Sequence, residues 1–99
     1  MKYESAEETS VLLLTLNAAL NLQLERIRDG CSEGEFENQK QAFGRAMASL
    51  LDILNPLYLD HPELKPVGLD GSYEMQESYF EESLSKLYCS VLVQIRSRK

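Results

Sequence analysis

The chain has one histidine, His61, set between Asp60 and Pro62, and two cysteines, Cys31 and Cys89. Beside Asp60, His61 could serve as a general base or as a single metal ligand. Neighbours in sequence do not orient each other as a catalytic pair, and no Ser, Thr or Cys is spaced to be its nucleophile. The expectation is a helix-cap or solvated loop histidine. Cys31 follows Gly30 just ahead of a helix start, where amide dipoles favour a thiolate. Asp29, Glu33 and Glu35 oppose that charge, so a small turn residue is expected. Neither cysteine belongs to a C-x-x-C pair, which argues against a zinc site.

Carboxylates are the remaining chemical resource. Glu33, Glu35 and Glu37 alternate, and Glu74, Glu77, Glu81 and Glu82 precede an apolar stretch. A di-metal helical bundle needs Glu-x-x-His on inward faces, and the sequence has none. Phosphate loops, nucleophile elbows and zinc-protease signatures are also absent. The residues therefore point to a protein without catalysis, cofactor or metal, whose acids cap helices and face solvent.

Three helices must carry these side chains. The first is expected over residues 5–29, opening on a capping box at Ser5-Ala6-Glu7-Glu8. Its end carries Arg26 and Arg28 against the negative pole of the helix, with Gly30 as a left-handed C′ residue. A second box, Ser32-Glu33-Gly34-Glu35, opens the next helix, expected over 33–54 and ending before Asn55-Pro56. Its core stripe is Phe36, Phe43, Met47, Leu50, Ile53 and Leu54, extended by Leu57 if the helix runs on. The third helix is expected over 73–96, with Tyr73, Phe80, Leu84, Leu87, Tyr88, Val91, Leu92 and Ile95 on its core face. It begins acidic and ends basic at Arg96, Arg98 and Lys99, which suits the helix dipole.

Residues 55–71 hold three prolines and two glycines, and read as a loop with room for one short turn near Pro62. Leu57, Leu59, Leu64, Val67 and Leu69 would pin it across the end of the bundle. Of the five tyrosines, Tyr73 and Tyr88 fit core edges, while Tyr58 and Tyr79 are candidates for exposed binding anchors. The fold expected is all-α: one domain over 1–99, an antiparallel three-helix bundle with a Pro-rich loop or short fourth helix between the second and third helices.

The first helix is apolar on two faces. Leu13, Leu16, Leu20, Leu24 and Ile27 form one stripe; Val11, Leu14, Ala18 and Leu22 form another roughly 160° away. A second apolar stripe needs a cover, either the 55–71 loop or a second copy of the chain. The expectation is a homodimer, with Val11, Leu14, Ala18 and Leu22 at its interface. Gly44 and Ala48, amid Ala42 and Ala46, add a place where two helix backbones could approach closely.

A net charge of −6 over 99 residues argues against direct nucleic-acid binding. No apolar run approaches the roughly 20 residues of a membrane span, and Glu4, Glu7 and Glu8 stand where a basic leader would be, so a cytoplasmic protein is expected. Together these features describe a small acidic protein–protein interaction module, a regulatory or inhibitory binder with a homodimeric form and room for a heterologous protein partner. Two alternatives are an acidic decoy that mimics nucleic acid, and a ligand-binding or enzymatic protein with a pocket near Tyr58 and His61.

Overall fold

The computed structural model describes residues 1–74 and 77–97, without the side chains of Phe80 and Ser97. The core role expected for Phe80 and the basic end at Arg98 and Lys99 lie outside the described residues. The described residues form three α-helices: α1 (Tyr3–Ile27), α2 (Glu33–Asp60) and α3 (Glu77–Ser97). Short 3-10 turns at Arg28–Gly30, Pro62–Leu64 and Val67–Leu69 join them.

The first helix starts earlier than its capping box. Its N-cap is Lys2, with no side-chain cap, and Ser5 and Glu8 lie inside the helix. The reason lies across the fold. The Met1 carbonyl accepts from His61 Nε2 at 2.8 Å, and the Tyr3 ring meets the His61 ring edge-on. These contacts hold the first residues against the end of α2 and draw the helix start toward them. The second box does form: Ser32 Oγ accepts from the Glu35 N–H, and the Ser32 N–H donates to Glu35 Oε1 at 3.0 Å. The Ser32 backbone N–H, and after it the Ser32 hydroxyl, hold the Glu35 carboxyl below its ordinary range. Gly30 does not take the left-handed conformation; α1 tightens into a 3-10 turn instead.

α2 runs through Pro56 to Asp60, six residues past the expected stop at Leu54. A proline inside a helix removes one hydrogen bond and costs roughly 3 kcal/mol. Burial of Leu57 and Tyr58 against α1 offsets that cost, because both complete the main core with Ala6, Leu13, Leu54 and Leu64. Within this core Ser10 Oγ and the Tyr58 hydroxyl share a hydrogen bond of 2.7 Å, which satisfies both buried oxygens. Tyr58 is thus a core residue and not an exposed anchor. Beyond α2 the chain folds back on itself. The Tyr73 N–H donates to the Lys65 carbonyl and the Gly71 N–H to the Pro66 carbonyl.

The core is concentrated where the first half of α1, the last turns of α2 and the Pro62–Leu64 turn meet. Toward the Gly30 end, Leu20, Leu24 and Ile27 of α1 and Phe36, Phe43 and Met47 of α2 are only half-buried. Two helices make a single layer, and a single layer leaves every side chain near solvent. The Cα radius of gyration is 15.7 Å, against about 13 Å for a compact domain of this length. Other expected core positions are exposed as well: Ile53 and Leu59 on α2, Val67 and Leu69 in the connection, and Leu84, Tyr88, Val91 and Ile95 on α3.

Candidate functional site

α3 lies beside the first half of α1, and between them runs a groove of about 520 Å³. Val11, Leu12, Leu84 and Leu87 supply its apolar surface, while Thr15, Ser83 and Ser90 add hydroxyls. Four carboxylates border it: Glu4, Glu7 and Glu8 from α1 and Glu82 from α3. Lys86, the sole basic residue of the lining among the described residues, is drawn to Glu82 at 3.2 Å. The groove therefore combines an apolar strip with a negative rim.

Helical spacing explains this. Glu4, Glu7, Glu8, Val11, Leu12 and Thr15 recur at intervals of three and four, so they share one side of α1. On α3 the lining residues Tyr79, Ser83, Lys86 and Ser90 follow the same rule, and they form the more polar side of that helix. The helix thus meets α1 mostly through its polar side. Of the apolar face expected to point inward, Leu84 and Leu87 border the groove, while Tyr88, Val91 and Ile95 are exposed. The missed signal was the concentration of three glutamates on one face of the first helix, directly beside Val11.

A tyrosine ties this groove to the core. Tyr73 donates its hydroxyl hydrogen to Glu7 Oε2 at 2.7 Å. Burial, that hydrogen bond and the Glu7 charge push the Tyr73 hydroxyl well above the usual tyrosine range. Tyr3 is pushed up as well, by desolvation first and then by the Glu7 and Glu63 charges. The linkage has a definite sign. A hydroxyl whose pKa is raised by folding contributes stability that is complete below its ordinary value of 10.0 and lost as the pH climbs above it. The urea midpoint should thus fall as pH rises above about 10, and Tyr73→Phe should remove part of that fall. An identical alkaline loss in wild type and Tyr73→Phe would exclude this role.

The other sequence candidates are dispersed. Val11 is buried, 3% exposed, at the groove, and Leu14 is partly buried against the core. Ala18 and Leu22 are exposed on the second half of α1, and Gly44 and Ala48 are exposed on α2. A side chain added at Gly44 would meet nothing within 4 Å, so no close approach of α1 to α2 occurs there. His61 uses both ring nitrogens on its own chain: Nε2 on the Met1 carbonyl, and Nδ1 at 3.3 Å from Glu63 Oε1. Cys31 is half-buried at a shallow hollow near the α1–α2 turn, and Cys89 is exposed on α3. Among the described residues no group of three or more His, Cys, Asp or Glu is placed to hold a metal ion, and no helix is long and apolar enough to cross a membrane.

Fold and groove together describe an all-helical chain with an acidic, apolar-floored cleft between two helices. Comparison with known protein families, curated proteins and solved structures finds no match.

Proposed function

We propose that this chain is a protein–protein interaction module, a regulatory or inhibitory binder that works without catalysis in the cytoplasm and also pairs with itself. The observation that carries the reading is the α1–α3 groove, with an apolar floor framed by Glu4, Glu7, Glu8 and Glu82. Such a surface suits a basic amphipathic helix: apolar residues enter the strip while Lys or Arg side chains reach the carboxylates. His61 supports the non-catalytic reading because both its ring nitrogens are engaged within the chain. An antiparallel bundle is the arrangement we favour, since the start of α1 contacts the end of α2 while Arg28 lies over the Phe36 ring at the other end.

The test is fluorescence anisotropy with two labelled synthetic peptides of equal charge. One is an amphipathic Leu/Lys helix, and the other a Ser/Lys chain with no apolar face. The amphipathic peptide should bind, and Glu4→Lys with Glu8→Lys should weaken it at least tenfold. The Ser/Lys peptide should bind far more weakly. Equal binding of both peptides, erased by moderate salt, would instead favour an acidic decoy for nucleic-acid-binding proteins.

A further inference from the structure

Beyond Leu84, which borders the groove, the strongest apolar stripe of α3 faces away from its own chain. Leu84, Tyr88, Val91 and Ile95 follow one another at steps of four, three and four residues. They fall within about 60° of one another around the helix, roughly 130° from the side that meets α1. All four are exposed: Leu84 by 42%, Tyr88 by 65%, Val91 by 42% and Ile95 by 61%. This four–three–four spacing is the seam of a two-helix coiled coil. An isolated helix with such a stripe gains nothing from it in water, whereas a facing helix buries it.

The charge pattern selects the facing helix. α3 opens with Glu77, Glu81 and Glu82 and carries Arg96 in its last turn. A parallel copy would set acid on acid and base on base. An antiparallel copy sets the acidic start against the basic end, and it opposes the two helix dipoles as well. It also pairs Leu84 with Ile95 and Tyr88 with Val91, so that each large side chain meets a smaller or branched one. The stripe is complementary to itself about a two-fold axis between residues 88 and 91, as an isologous contact requires.

We infer that two copies of this chain pair through antiparallel α3 helices, with Leu84, Tyr88, Val91 and Ile95 at the seam. The inference rests on the reading of the chain as a self-pairing module and names the surface that does it. The seam meets the α1–α3 groove at Leu84, which borders both, while Tyr88, Val91 and Ile95 belong to the seam alone.

Two measurements test it. Sedimentation equilibrium at micromolar concentration should give twice the 11.3 kDa chain mass. Val91→Glu changes an exposed residue, so it should keep the helical circular dichroism while weakening association tenfold or more. The orientation is read from nitroxide labels on Ser78→Cys in a Cys31→Ser, Cys89→Ser background. Residue 78 lies eleven to twelve positions from the axis, so antiparallel pairing sets the labels about 35 Å apart, and parallel pairing within about 20 Å. A monomer at all concentrations would overturn both the self-pairing and this surface. A dimer indifferent to Val91→Glu but dissociated by Leu22→Glu would overturn the α3 seam and leave self-pairing standing on α1. Labels within 20 Å would overturn the antiparallel order.

Discussion

Leu54→Ala should lower the unfolding free energy by about 2–5 kcal/mol. Leu54 is 1% exposed and packs among Ala6, Leu13, Leu57, Tyr58 and Leu64, so truncation leaves a cavity where two helices and the Pro62–Leu64 turn meet. A domain of this size has roughly 5–15 kcal/mol in total, so the loss is a large share of it. Urea denaturation followed by circular dichroism reads the effect. Leu59→Ala, five residues along the same helix but 84% exposed, should stay within about 0.5 kcal/mol. The contrast matters because the buried side chains of the described residues gather in one dense region. If both substitutions cost under 1 kcal/mol, the core does not lie where α1 meets the end of α2. The groove depends on the same region, since it is the first half of α1 that borders both.

Gly71→Ala is expected to cost about 2–4 kcal/mol, through a backbone collision and not through a forbidden dihedral. The residue has an ordinary φ; the left-handed position is its neighbour Asp70, at φ 65°. A β-carbon at residue 71 would run into the Lys65 carbonyl group and lie 2.7 Å from the Lys65 β-carbon. The loop must then open, and the bonds from the Tyr73 N–H to Lys65 and from the Gly71 N–H to Pro66 go with it. Tyr73 would also be drawn from Glu7, which loosens the segment that leads into α3. Gly44→Ala supplies the opposite sign. It sits mid-helix with open space beside it, so alanine should stabilise by up to about 1 kcal/mol. Thermal unfolding of the two variants side by side separates the cases, and a neutral Gly71→Ala would mean that the 65–73 loop is not closed in solution.

Much of the helical framework was legible in the residues. Local patterns announce themselves when the interaction is local: Ser32 and Glu35 are three residues apart, and their capping box forms as the spacing requires. The same reasoning failed at Ser5, because a partner 60 residues away decides where that helix starts: His61 holds the Met1 carbonyl. It failed again at Pro56, where the local rule for stopping a helix was sound but weaker than the burial of Leu57 and Tyr58 beyond it. Tyr58 and Tyr88 exchanged places for a related reason. Both are aromatic residues at apolar spacing, yet only Tyr58 finds a buried partner, the Ser10 hydroxyl.

The groove was half legible. That the first helix is apolar on two sides is a property of its residue order, and so is the acidity of its start. Nothing in the order says which neighbour covers the second side. Val11 is buried at the α1–α3 groove, whereas Leu22, farther along the same stripe, stays exposed.

By itself, then, the sequence determined the three helices, the apolar stripe each carries and the negative charge near the chain start. Periodicity and capping act over four residues or fewer, so they survive translation into structure unaided. Only the tertiary structure decided which stripe each helix uses, how far α2 runs past Pro56, and that α3 turns its polar side to α1 while its apolar stripe beyond Leu84 faces out. Those choices are set by contacts between residues tens of positions apart, where burial and geometry outweigh local preference.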